Sequence, residues 1–302
     1  MDAVYPISTG SAHRGIRKEV IDAMVKQTAQ RSYRFKQAVA VVPTSAWNNV
    51  FFREKLTPLA GQSGNSFKGI PRGAAFPQAS VEWQEVSVRI IKYGAEENIP
   101  WEDIIAGDIA VQSRTIIRLT EGVVKAVDDQ IWLNLTQGMN TSAPDSTLVI
   151  QSFAITGGRC WDVASAAIIS DLMKASRLIY TNGNYDVSDL ICFVSPRDKE
   201  SIMKYLVDKG TQFPMISTNI AENGNIGKLA GIKLIESVSV AASMALVVKP
   251  KICATYKQLV PLQSTTIEDP YRSIKIRVVE EGAIELTDPK AVCLISNTLW
   301  TA

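Results

Sequence analysis

Residues 101–137 read WEDIIAGDIAVQSRTIIRLTEGVVKAVDDQIWLNLTQ, and their periodicity decides the fold. Ile109, Ile116, Leu119, Val123, Val127 and Ile131 recur at steps of three, four or seven, with Val124 and Leu135 beside them, so they trace one apolar stripe on a helix. A helix of about thirty residues beginning near Asp108 spans about 45 Å at about 1.5 Å per residue, far beyond the usual globular length. Gly138 supplies a natural stop.

Upstream, two β-rich segments flank a long breaker region. Ala46–Thr57 contains Trp47, Val50, Phe51 and Phe52, while Val81–Ile99 alternates Val86, Val88 and Ile90 with Ser87 and Arg89. The spacer between them, LAGQSGNSFKGIPRGAAFPQ, carries Gly61, Gly64, Gly69, Pro71, Gly73 and Pro77, too long a connection for a tight hairpin turn. The unit predicts a long two-stranded arm with a flexible tip. An isolated two-stranded ribbon is marginal in water, so something outside the arm is expected to hold it.

Further upstream, RGIRKEVIDAMVKQTAQ (14–30) places Ile16, Val20, Ala23, Met24 and Gln27 at helical spacing. That helix is too short to fold alone and must dock on the chain's body or on a neighbour. Residues 1–40 hold seven Lys/Arg against three Asp/Glu, leaving 25 against 27 elsewhere, so a basic arm joins a nearly neutral body.

Downstream of Trp161 helices and strands alternate. A helix over Ala164–Tyr180 leads through Asn182-Gly183-Asn184 to a strand at Leu190–Val194. Ser195 then caps another helix, with Pro196 at its first position and Asp198 in its first turn. A polar loop from Gly210 to Gly227 precedes strands at Gly231–Glu236 and Ala245–Val248. The tail is β, with strands at Ile252–Leu259, Ser273–Glu280, Ala283–Thr287 and Val292–Ile295, and Glu281-Gly282 reads as a hairpin turn.

The composition bounds what such a chain does. At 302 residues, 46% hydrophobic and 21% charged, it has ample material for a real core and shows no repeat, low-complexity tract or heptad array. Its apolar runs are broken by charge within about ten residues and MDAVYPISTG lacks a signal-peptide pattern, so a cytoplasmic protein without membrane contact is expected. Cys160, Cys192, Cys253 and Cys293 lie far apart without a C-x-x-C spacing, which favours buried free thiols. The single histidine, His13, weighs against metal binding and proton-transfer catalysis.

A search for chemistry returns little. Gly224–Gly231 resembles a phosphate loop only superficially, since Leu229 stands where a magnesium-holding Ser or Thr is required. Asp128-Asp129 and Glu280-Glu281 are neighbours that point apart, and solvated faces are the expectation for both pairs. No G-x-S-x-G elbow or Cys–His pairing is present, so no catalytic, cofactor or metal residue is expected. The run Arg31, Tyr33, Arg34, Phe35, Lys36 reads either as phosphate-contacting or as a solvated docking arm.

This order of elements resembles the tailed-phage major capsid proteins with the Hong Kong ninety-seven fold. Val88-Arg-Ile-Ile-Lys-Tyr-Gly94 followed by Ile99-Pro-Trp-Glu-Asp-Ile104 is similar to the family's passage from extended arm into spine helix. Phe193-Val-Ser-Pro196 resembles its strand-to-helix step, and Gly231–Ser237 with Ala245–Pro250 its paired axial strands. The closing run from Ile276 through Glu281-Gly282 to Ile295 fits the return to a last axial strand.

The resemblance implies an α+β chain with an N-terminal arm (1–45), an extended β-hairpin E-loop (46–100), a peripheral domain with the spine helix (101–160 and 250–288) and an α/β axial domain (161–249 and 289–302). It implies pentamers and hexamers closing into an icosahedral shell around double-stranded DNA, in a virion assembled in the host cytoplasm. Trp47, Phe51, Phe52, Phe67, Lys68, Arg72 and Phe76 of the arm would then lie over a neighbouring subunit. Arg14, Arg17, Lys18, Arg31, Arg34 and Lys36 would face nucleic acid or the interior. The loop Thr211–Gly227 would lie near the capsomer axis and Pro261–Arg272 near three-subunit junctions. Partners would be the chain itself, packaged DNA, and scaffold, portal or decoration proteins. The family's commonest forms carry a cleavable scaffold domain or begin with an extended arm; only a short arm with a helix stands here, which implies a separate scaffold protein or none. An encapsulin-type nanocompartment shares the fold and is the alternative, and a soluble α/β enzyme is the remote one.

Overall fold

The computed structural model describes residues 18–56, 70–76, 81–100, 102, 109–138, 145–209, 226–269 and 273–300. In chain order the elements are α1 (Lys18–Ser32), a 3-10 turn (Phe35–Gln37), β1 (Ala40–Pro43), β2 (Asn48–Glu54), β3 (Trp83–Arg89), β4 (Ile91–Pro100), α2 (Ile109–Gln137), β5 (Gln151–Ala154) and α3 (Ile168–Gly183). Then come β6 (Ile191–Val194), α4 (Pro196–Asp208), β7 (Lys228–Leu229), β8 (Ile232–Glu236), β9 (Met244–Val248), β10 (Ala254–Asp269), β11 (Ser273–Leu286), a 3-10 turn (Pro289–Ala291) and β12 (Val292–Ser296).

The helix α2 runs 29 residues and buries Ile116, Val123, Val127 and Ile131, the stripe its sequence predicts, with Val124, Trp132 and Leu135 beside them. It stops at Gly138, whose φ of 65° is a left-handed value that glycine adopts without penalty. Two sheets flank it. The four-stranded sheet has the order β1-β10-β11-β4, with β1 parallel to β10 and the other pairs antiparallel. Alternate β11 residues Ile276, Val278, Ile284 and Leu286 point into the core shared with α1 and α2.

The six-stranded sheet has the order β5-β12-β9-β6-β8-β7. Strict alternation buries both of its faces: Cys192, Val194, Ala245, Val247, Cys293 and Ile295 meet α3 and α4, while Phe193, Leu246, Val248 and Val292 meet the core around α2. All four cysteines are free and buried, Cys192 and Cys293 of them in this sheet. At the start of α4 the Ser195 hydroxyl accepts the Asp198 N–H at 3.1 Å, with Pro196 at the first helical position, as its sequence reads. Between β7 and β8 a two-residue turn places Ala230 and Gly231 at positive φ, the geometry of a tight hairpin and not of a phosphate loop.

Several expectations are overturned. The apolar stripe of α1 is Ile21, Val25 and Ala29, with Met24 half-buried; Val20, Ala23 and Gln27 are exposed, because the face that meets α2 and β10 lies one position away from the one read. The segment Val81–Ile99 is two strands, with only β3 in the arm, since β4 pairs along its whole length with β11. The helix read from Ala164 begins at Ile168. Gln151–Ala154, grouped by sequence with the long helix, forms an edge strand beside β12.

Glu281-Gly282 is no turn, because β11 continues straight through it. The glycine serves close approach: a Cβ at Gly282 would fall on the ring of Tyr256 from the paired strand. Gly282→Ala is therefore expected to cost about 2 kcal/mol, the scale of overpacking. Thermal denaturation checks this. Combined with Tyr256→Ala the two losses should fall short of their sum, and simple additivity would rule out the steric account.

Candidate inter-subunit surface

β2 and β3 form a two-stranded antiparallel ribbon to which no third strand among the described residues pairs. Register puts Asn49, Phe51 and Arg53 on one face with Gln84, Val86 and Val88, and Val50, Phe52 and Glu54 on the other with Trp83, Glu85 and Ser87. The inner face leans on the chain's own four-stranded sheet, where Phe51, Val86, Val88 and Ile90 meet Leu259 and Ala283.

Its root is held by charge. Arg53, 3% exposed, donates to Asp145 at 2.5 Å and to the Gln84 side-chain Oε1 at 2.8 Å, and Lys290 pairs with Glu54. Burial pushes the Asp145 carboxyl up, but hydrogen bonds from Thr147 and Arg53 outweigh it and hold the group below the usual carboxylate range.

The outer face has no such cover. On it Val50 is 53% exposed, Phe52 59% and Trp83 58%; Trp47, just before β2, is 55% exposed. Burying one large apolar side chain is worth about 1.5–3 kcal/mol, so this face alone offers a partner several such increments. Both ribbon edges also present backbone groups that an added strand can satisfy.

The predicted arm residues thus divide. Phe52 lies on the uncovered face; Trp47 is exposed just before β2, outside the ribbon's register, and Phe51 belongs to the inner face and packs within the chain. Arg72 and Phe76 are exposed beyond the ribbon, and Phe67 and Lys68, with the rest of the tip at 57–69 and 77–80, lie outside the described residues. Sequence reasoning missed Trp83 and left Val50 unassigned. The period-two pattern running from Val50 and Phe52, continued across the hairpin to Trp83, carries the signal.

The basic candidates divide as well. Arg14 and Arg17 lie outside the described residues, and of Lys18 and Arg31 only the backbone, in α1, is described. Arg34 is exposed. Lys36 is withdrawn from any phosphate: its ammonium pairs with Glu280 and sits 4.5 Å from the Tyr33 ring centroid and 4.7 Å from that of Tyr256. The two acidic pairs are likewise no solvated faces, since Glu280 and Asp128 are buried.

Asp128 accepts the backbone N–H of Arg34 at 2.7 Å and of Lys36 at 3.4 Å. Burial pushes its carboxyl up to about 6, against the lowering effect of those amides. A folded-state value above the unfolded one means that the native chain holds the proton more tightly. Stability from this group is present below about pH 4 and is lost as pH rises towards 6, by about 3 kcal/mol in all. In urea titrations from pH 4 to 7, Asp128→Asn should flatten this decline relative to the parent chain. Equal pH slopes in the two proteins would refute it.

Residues 83–295 match the family model described as phage capsid protein. No curated protein matches the sequence. Among solved structures the chain resembles the virus-like particle from Pyrococcus furiosus at 12% identity and a TM-score of 0.61, over 92% of this chain and 98% of that one. It resembles the capsid of cyanophage P-SCSP1u at 15% identity and a TM-score of 0.62, over 87% and 88%. The capsid of the native GTA particle follows at 11% identity and 0.62, over 99% and 96%. At such identities the likeness is one of fold.

Proposed function

This chain belongs to the phage capsid protein family, and from that premise we propose that it is a major capsid protein whose subunits form pentamers and hexamers and close them into an icosahedral shell around double-stranded DNA. The observation that carries the reading is the ribbon's uncovered outer face, an apolar surface too concentrated for a lone soluble chain and backed by a root fixed to the body. In this reading β2–β3 is the extended E-loop, α2 the spine of the peripheral domain, and the six-stranded sheet with α3 and α4 the axial domain. Residues 18–45, with α1 and β1, belong to the N-terminal arm in this reading. Contacts weak in isolation add up when repeated around every subunit, so a modest face suffices for a stable shell. Scaffold, portal and decoration proteins are further partners of this reading, which places the chain in the virion after assembly in a host cytoplasm.

Electron microscopy of the purified chain should show closed shells, and particles from infected or producing cells should protect DNA from nuclease. Soluble monomers at high concentration would overturn the reading. The likeness to the Pyrococcus furiosus virus-like particle favours one second reading, a cellular compartment enclosing protein. Nuclease-sensitive shells that retain a protein cargo would decide for it.

A further inference from the structure

The stretch from Tyr33 to Ala38 crosses a seam. On one side stands α2 with the four-stranded sheet; on the other stand β6, β8 and α4 of the six-stranded sheet. Phe35, fully buried, stacks on Phe193 of β6 with centroids 4.2 Å apart and leans on Trp132 of α2 at 5.8 Å. The amides of Arg34 and Lys36 donate to Asp128 of α2, and Lys36 reaches Glu280 of β11. The Ala38 carbonyl accepts the Lys251 N–H at 2.6 Å, in the turn between β9 and β10.

On either side of Arg34 the seam is open. A cleft of about 220 Å³ lies between Gln37, Val194, Lys199 and Ile235, and a second of about 500 Å³ lies between Val124, Asp128, Pro196 and Val238; Arg34 lines both. Beneath them the contact between α2 and the six-stranded sheet includes apolar side chains such as Leu246, Val248 and Val292. Such contact is non-directional and lets packed layers slide by small steps. The hydrogen bonds of the Tyr33–Ala38 stretch are directional and hold it to α2, β11 and the β9–β10 turn, while Phe35 stacked on Phe193 carries the same short backbone to the six-stranded sheet.

We infer that Tyr33–Ala38 is a strap that fixes the angle between the two sheet units. In a closed shell that angle sets the curvature each subunit contributes, a step that rests on the proposed function.

The test reads the angle itself. Spin labels at Arg118→Cys on α2 and Met173→Cys on α3 occupy exposed positions, and the native thiols, all buried, take no label. Labelled chain is diluted with unlabelled chain, so the readout is intrachain whether or not shells form and does not depend on the proposed function. The parent should give one narrow distance distribution. Phe35→Ala, and Phe35→Leu where the alanine variant does not fold, should give a distribution roughly twofold broader. Ile179→Ala, a cavity in the other apolar cluster, should stay narrow. Phe35 variants as narrow as the parent, or equal broadening from Ile179→Ala, would overturn the inference.

Discussion

Subunits carrying Phe52→Lys together with Trp83→Lys are expected to fold normally and to form no closed shells. Both side chains project from the ribbon's outer face and are more than half exposed, so the substitution removes little intrachain packing. Lysine is chosen for the cross-strand geometry. Phe52 stands opposite Glu85, so the new cation there gains an opposite charge and the hairpin is supported by about 0.2–1 kcal/mol, while Glu54, opposite Trp83, already pairs with Lys290. At a docked interface the same cations are taken out of water beside apolar surface, which costs several kcal/mol per contact. That penalty recurs at every copy, so multivalency works against assembly with the same force that otherwise favours it. Thermal denaturation should move by no more than about 2 °C, while sedimentation velocity should show only small species and micrographs no shells. Phe51→Lys is the contrasting control: its side chain packs against the chain's own sheet, so it should lower the melting temperature of the subunit itself. Normal shells from the Phe52/Trp83 variant would mean that this face makes no contact between subunits.

What the sequence discloses and what it conceals follow from the range of the forces involved. The α2 stripe, the Ser195 cap and the alternation of β6, β9 and β12 are legible because the signal lies within a few residues, repeated at the period of the element. The Glu281-Gly282 pair was misleading because a glycine that lets Tyr256 approach looks identical, locally, to one that lets a chain turn. The same holds for Asp128 and Glu280. Their adjacent acidic partners suggest solvated faces, and only the return of the Arg34–Lys36 backbone from 92 and 94 positions away, and of Lys36 from 244, makes them buried acceptors. At the candidate surface the existence of the ribbon was readable from β-rich runs flanking a breaker. Which of its faces is free was not, since Phe51 and Phe52 are adjacent and the choice depends on Leu259 and Ala283, some two hundred residues downstream.

Lys36→Met should cost about 3–5 kcal/mol and lower the melting temperature by about 10 °C, the largest stability loss expected of any single change here. Glu280 is fully buried and accepts from the Tyr33 hydroxyl, the Lys36 ammonium and Gln258 Nε2 at 3.1 Å. Burial and the neighbouring carboxylate push the Tyr33 hydroxyl far above its ordinary range, so it remains a neutral donor. Gln258 is neutral too. Lys36 is then the cation within hydrogen-bonding reach of the carboxylate, and methionine fills its volume between the two tyrosine rings while leaving that charge uncompensated. Glu280→Leu removes the other half and leaves an ammonium that is 12% exposed and able to turn towards water, so its cost should be smaller. With both changes together no buried charge remains, and the double variant should recover about 2 kcal/mol relative to the sum of the singles. A melting temperature for Lys36→Met equal to the parent's would mean that Tyr33 and Gln258 satisfy the carboxylate unaided. The strap would then be held by Tyr33, Phe35, Asp128 and the Ala38 carbonyl, without Lys36.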